Sequence, residues 1–209
     1  MDTAQLAAPS APNAPNTDEA LLAAVRDEVL AYGVRRATAT SIAQRAGVSR
    51  VTVYRRGGGI KQLLLDALVA EFRNAVEEVT AEVLAEQSPR DGRAAVTAIA
   101  AGMVKKLSHA PLVAALLKHD PEMLLPYLVD RHGRSQQLMI EAMTSAIAAG
   151  MADGSIRDGD PVLLSVVLLH ALTPFVIGLG VVTAKHDPTE VLAEVRHLVD
   201  AYLAPEATS

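Results

Sequence analysis

From Thr38 to Leu64 the chain reads TATSIAQRAGVSRVTVYRRGGGIKQLL, and the punctuation of this run admits few folds. Thr38 and Ser49 each stand just ahead of a helix-forming segment, Gly47 lies between the two segments, and Gly57, Gly58 and Gly59 follow the second. A Ser or Thr hydroxyl at a helix start satisfies a backbone N–H that the helix leaves unpaired, and glycine turns the chain without a Cβ penalty. The spacing predicts a short helix over Ala39–Ala46, a tight turn, and a second helix capped by Ser49 that ends near Arg56. Ile42, Ala43, Val48 and Val53 are spaced to pack inward, which leaves Arg50, Thr52, Tyr54 and Arg55 outside.

The rest of the chain is predicted to be helical too. Aromatic residues are scarce at 3%, no Asn-Gly hairpin signal occurs, and Ala and Leu recur at helical spacing. Ahead of the pair, a helix over about Thr17–Tyr32 places Leu21, Leu22, Val25, Val29 and Leu30 on one face and stops at Gly33. After the glycines, Leu64, Leu68, Phe72, Val76, Val79 and Val83 form a stripe on a helix reaching about Gln87. Further helices are expected at about 93–108, 111–118, 121–130, 134–151, 160–184 and 188–203, punctuated by Pro111, Pro121, Gly133 and Pro188. The division expected is a tail over 1–16, a helix-turn-helix domain over 17–62 and a helical body over 63–209. The Ala/Pro/Asn-rich start lacks the basic and apolar regions of a secretory signal, so it reads as a flexible tail.

Charge is divided unevenly. Residues 21–61 hold eight cations (Arg26, Arg35, Arg36, Arg45, Arg50, Arg55, Arg56, Lys61) against Asp27 and Glu28, a net charge of +6, although the whole chain carries −5. A basic module on an acidic body is the pattern expected of a polyanion-binding head, since Lys and Arg near phosphates gain by counterion release.

Other chemistries lack their residues. There is no cysteine, which removes disulfides, thiolate metal sites and cysteine nucleophiles and fits a cytoplasmic protein. GGGIKQ has neither the spacing nor the preceding strand of a nucleotide-binding Walker loop. His109, His119, Asp120, Glu122 and His132 follow no metal-ligand spacing, and neither His-Glu-x-x-His nor Gly-x-Ser-x-Gly occurs. No catalysis, metal or cofactor is expected.

Thr38, Ile42-Ala43, Ala46-Gly47-Val48-Ser49, Thr52, Val53, Tyr54 and Lys61 together resemble the DNA-binding domain of the tetracycline-repressor (TetR) family, over roughly residues 20–70. The resemblance implies an all-α homodimer whose helical body binds a small-molecule effector, and a double-stranded DNA partner read as a pseudo-palindrome. One departure stands out: where the family commonly has Tyr-x-His-Phe, this chain has Tyr54-Arg55-Arg56-Gly57. The missing aromatic and three glycines, each costing about 0.5–1 kcal/mol in chain entropy relative to alanine, predict a loose hinge before the next helix.

In such a head the start of the second helix enters the major groove. Arg50, Val51 and Thr52, behind the Ser49 cap, are then placed for base edges, Arg50 toward guanine and Val51 toward a thymine methyl. Thr38, Tyr54, Arg55, Arg56 and Lys61 are cast as phosphate contacts, with Tyr54 equally readable as a core residue on spacing alone. Arg26, Arg35 and Arg36 read as surface charge.

Two features of the body bear on partners. Residues 188–203 form an amphipathic helix presenting Leu192, Val195, Leu198, Val199 and Tyr202, expected with Val166 and Val167 at a dimer interface. Residues 162–184 are apolar almost all round, which raises the question of a membrane span, and the alternative reading is a helical membrane-associated protein whose basic patch meets anionic lipid. His170, Pro174 and the lack of flanking basic clusters favour a helix buried in the core and the interface, with no membrane partner. Met103, Leu107, Leu116, Tyr127, Met139, Met143, His170 and Phe175 fall on candidate inner faces for an effector of unknown identity, and each also suits plain core.

Overall fold

The computed structural model describes residues 17–87, 91–123 and 132–206; within them the chain is helical and has no strand. The helices are α1 (Thr17–Tyr32), α2 (Ala39–Ala46), α3 (Arg50–Gly57), α4 (Ile60–Glu82), α5 (Gly92–Ser108), α6 (Pro111–His119), α7 (Arg134–Ala152), α8 (Pro161–Thr183) and α9 (Pro188–Leu203). Short 3-10 turns cover Val34–Arg36 and Pro121–Met123. The expected tail and most of the helix expected over 121–130 lie outside the described residues. The helix expected to reach Gln87 ends its α-helical part at Glu82, and Val83–Gln87 continue as a π turn.

Local chemistry sets the head. Thr38 caps α2: the Ser41 N–H donates to its Oγ1 at 3.0 Å, and the Thr38 N–H donates back to Ser41 Oγ at 3.2 Å. Gly47 closes α2 in the left-handed region at φ 66°. Ser49 then opens α3 by accepting the Thr52 N–H at 3.1 Å. Each cap is worth about 1 kcal/mol, which matters for helices of only eight residues that cannot stand alone.

Leu21, Val25 and Val29 of α1, Ile42 of α2 and Val53 of α3 are all buried to 1% exposure or less. They share one core with Leu63, Leu64, Ala67 and Leu68 of α4 and with Leu112, Val113 and Leu116 of α6. Burying each large aliphatic side chain contributes about 1.5–3 kcal/mol, so α4 and α6 anchor the head as firmly as its own helices do. Packing therefore runs continuously across the boundary expected at residue 62. Leu30, expected on the inner face of α1, lies at its exposed flank.

At the glycine run, where a loose hinge is expected, α3 extends through a buried Gly57, and a Cβ there would lie 2.4 Å from Leu63 Cγ. Leu63 fills the space a larger residue would need, and Gly58 turns the chain in the left-handed region at φ 59°.

The body packs a second core from Val96, Ala100, Ala101 and Val104 of α5, Ile147 of α7, Leu164, Leu168 and Leu172 of α8, and Val195, Val199 and Leu203 of α9. Val195 and Val199, expected at a dimer interface, are wholly buried in this core; on an amphipathic helix the intramolecular stripe and the outer flank differ by one residue. Leu198 and Val167 are exposed, while Val166, Leu192 and Tyr202 are half-buried. α8 buries one side only, and Val162, Leu163, Val167 and Val181 stand exposed on it. Its length and composition would suffice for a membrane span.

Candidate nucleic-acid interface and internal cavity

Val53 and Gly57 set the inner side of α3, four residues apart, so helical geometry turns Arg50, Val51, Tyr54 and Arg55 outward. Val51 is 71% exposed and Tyr54 56%, which no packing requirement explains. Thr38, Ser49, Arg56 and Lys61 are exposed on the same head, and Thr52 is half-buried with its hydroxyl 2.9 Å from that of Ser49.

The cations sort into two groups. Arg45 reaches the buried Glu28 at 3.3 Å, tying α2 to α1, and Arg56 pairs with Asp18 at 3.0 Å, tying α3 to the start of α1. Among the described residues Arg50, Arg55 and Lys61 make no ion pair and no side-chain hydrogen bond. Exposed unpaired cations beside an exposed aliphatic residue, at the start of a capped helix, match what base edges and phosphates offer.

A cavity of about 690 Å³ lies between α4, α5, α7 and α8. Of the residues expected to line it, Met103, Leu107, Met139 and Met143 do. Leu116 packs in the head core instead, and Phe175 packs against the α5–α9 core. His170 is exposed and reaches the cavity only through His132, whose Nε2 lies 2.9 Å from its own; Tyr127 lies outside the described residues. Phe72, Ile99, Leu172, Thr173 and Val176 also line the cavity and were not foreseen. Their apolar stripes were legible, but which stripes face a void and which face one another is a property of helix crossing.

Head core and cavity both draw on α4 and α6. Val113 lines the cavity while its neighbour Leu112 lies in the head core. At the end of α6, Asp120 is 2% exposed; the Val34 N–H donates to its Oδ2 at 2.9 Å and Arg35 lies 3.5 Å from its Oδ1. Arg35 also pairs with Glu122 at 2.6 Å, so it joins head to body instead of serving as bare surface charge. Arg26 does likewise with Glu71 of α4, at 3.7 Å. Burial holds the Glu71 carboxyl above the usual carboxylate range, opposed by the Arg26 charge.

The architecture is a helix-turn-helix head on an all-helical, cavity-bearing body. An HTH-type transcriptional regulator of Mycobacterium tuberculosis is 28% identical over 190 residues, spanning 90% of this chain and 95% of that protein. Among solved structures, the TetR family repressor AlkX from Dietzia sp., implicated in biodegradation of n-alkanes, superposes with a TM-score of 0.66 at 17% identity, over 91% of this chain and 97% of the other. The Bacillus subtilis transcriptional regulator FadR, solved with stearoyl-CoA, matches with a TM-score of 0.59 at 15% identity, over 88% and 98%. The Rhodococcus erythropolis TetR-family repressor QsdR gives 0.65 at 14% identity, over 92% and 97%. No family model matches the chain. The chain has the TetR-family fold, and the relative and the three solved proteins named here are transcriptional regulators.

Proposed function

We propose that the protein is a cytoplasmic, homodimeric transcriptional repressor that leaves its operator when an effector enters the body cavity. The observation that carries this reading is the exposed, unpaired set Arg50, Val51, Arg55 and Lys61 on a head whose core is shared with α4, a wall of an apolar cavity, and with α6, which adds Val113 to the lining. Arg50, Val51 and Thr52 would read bases; Thr38, Ser49, Tyr54, Arg55, Arg56 and Lys61 would hold phosphates, Arg56 after exchanging Asp18 for DNA. One head reads few base pairs, so two heads on half-sites about 10 bp apart supply specificity. The exposed apolar flanks of α8 and α9, with Val167 and Leu198, are the surface that a second copy would cover.

Release follows from linkage: an effector that favours a body arrangement in which the heads no longer match one duplex lowers operator affinity by the coupling free energy. The apolar lining, together with the stearoyl-CoA bound to FadR and the n-alkane context of AlkX, supports an apolar effector. Selection from a random duplex library tests the reading. Enrichment of one palindrome supports it; no motif, with binding to anionic vesicles instead, would replace it by a lipid-surface role.

A further inference from the structure

The cavity's polar groups gather where three helices meet. Gln62 of α4 lines it at one side, and His132, Arg134, Ser135, Gln136 and Gln137 line it around the start of α7. The His132–His170 contact brings α8 to the same end. The remaining lining is aliphatic, methionine and phenylalanine, apart from Thr80 and Thr173. Among the described residues no carboxylate lines the cavity, whereas one guanidinium and one imidazole do.

Arg134 does not lack a counter-ion. Its Nη1 lies 2.6 Å from Asp66 Oδ1 of α4, outside the lining, and Asp66 also accepts from Gln62 Nε2 at 3.0 Å. The arginine is 65% exposed and the aspartate 30%, so this pair is of the solvent-screened kind that contributes little and exchanges partners readily.

We propose that the effector is an anionic amphiphile, whose apolar body fills the cavity and whose carboxylate or phosphate head takes Arg134 from Asp66. This rests on the cavity being the effector site. A cationic head would be drawn inside with no carboxylate on the lining among the described residues to pair with, which leaves a charge uncompensated. A neutral compound fills the same volume but leaves the Arg134–Asp66 pair as it is. An anionic head makes charge-assisted hydrogen bonds to the guanidinium and frees Asp66. Asp66 sits in the second turn of α4, whose first turn carries Lys61 and follows directly from the Gly57–Gly59 turn. Capture of the head therefore changes the ion pairing of the segment that holds the recognition helix, which supplies the differential interaction any ligand-driven shift requires.

The test is calorimetric titration of the full chain with hexadecanoate, hexadecyl phosphate, hexadecanol and hexadecyltrimethylammonium, each below its micelle concentration. At least one anion should bind about tenfold or more tighter than the alcohol, with the cation weakest, and the order of the two anions identifies the head. Arg134→Gln should remove that preference while hexadecanol still binds, which also reports an intact cavity. Asp66→Asn should strengthen anion binding by removing the competitor. Equal affinity for all heads, a preference that survives Arg134→Gln, weaker anion binding by Asp66→Asn, or no binding of any amphiphile would overturn the proposal. DNA selection on the same preparation separates the two readings: anion binding as described without an enriched motif sinks the regulator and spares the ligand class, and the converse result does the reverse.

Discussion

Head and body are built from the same small set of aliphatic residues, yet one is filled and the other is hollow. In the head, Ile42, Leu64, Val25 and Val53 are at 0% exposure and Leu63 presses on a glycine. In the body, α4, α5, α7 and α8 hold Met103, Met139 and Met143 around about 690 Å³ of space. A reading surface must keep its side chains in one geometry, so its support is close-packed; a ligand site must forgo contacts that a solid core would have made. The difference shows how one helical vocabulary gives rigidity where side chains complement one another and empty volume where they do not.

The comparison is most directly broken by truncation in each region. Ile42→Ala should destabilise the protein by about 2–5 kcal/mol, because close packing cannot collapse onto the void. Met139→Ala on the cavity wall should cost less than about 2 kcal/mol, since that side chain already faces empty space on one side. Equal losses in denaturant titrations would dissolve the distinction.

Overpacking gives the next effect. Gly57→Ala should cost about 1–3 kcal/mol, because the new Cβ meets three carbons of Leu63 at 2.7 Å or less. The double variant Gly57→Ala with Leu63→Ala should lose less stability than the sum of the two single changes; a loose hinge would instead tolerate the alanine.

On the surface, Arg50→Ala should weaken specific binding by about 1–3 kcal/mol and relax preference at one base pair. Lys61→Ala should weaken binding to all duplexes alike and reduce the salt slope by about 1. Gel-shift titrations at several salt concentrations distinguish them, and operator affinity unchanged by Arg50→Ala would remove Arg50 from base reading.

The smallest effect is a pH slope at the joint between the regions. Because the folded Glu71 carboxyl binds its proton more tightly than in the unfolded chain, the folded state loses stability as pH rises from the usual carboxylate range through the raised value. Glu71→Gln should flatten that slope in melting temperature against pH; an unchanged slope would assign it to other groups.

Legibility in the sequence followed the range of the interactions. Thr38, Gly47 and Ser49 act within four residues of themselves, and the structure has the two short helices and the turn where these residues predict them. α1, α2 and α9 run over the spans expected from periodicity and capping. The outward face of α3 followed from the inward spacing of Val53. What was not legible required knowing which stripe meets which. Val195 and Val199 were assigned to a partner and lie in the chain's own core; Leu116 was assigned to the cavity and lies in the head. The approach of Leu63 to Gly57 was likewise not legible from the glycine run.

By itself the sequence determined that this chain is all-helical, where its short head helices begin and turn, and that its positive charge collects on that head. Those properties depend on backbone hydrogen bonding, on φ preferences and on charge, which act over a few residues or simply add. Only the tertiary structure decided that α4 and α6 serve head and body together, that four helices cross far enough apart to leave a cavity, and that Asp120 accepts the Val34 N–H across the two regions. Those depend on contacts between residues far apart in the chain, 86 positions for Val34 and Asp120, and an apolar stripe looks the same whichever neighbour it meets.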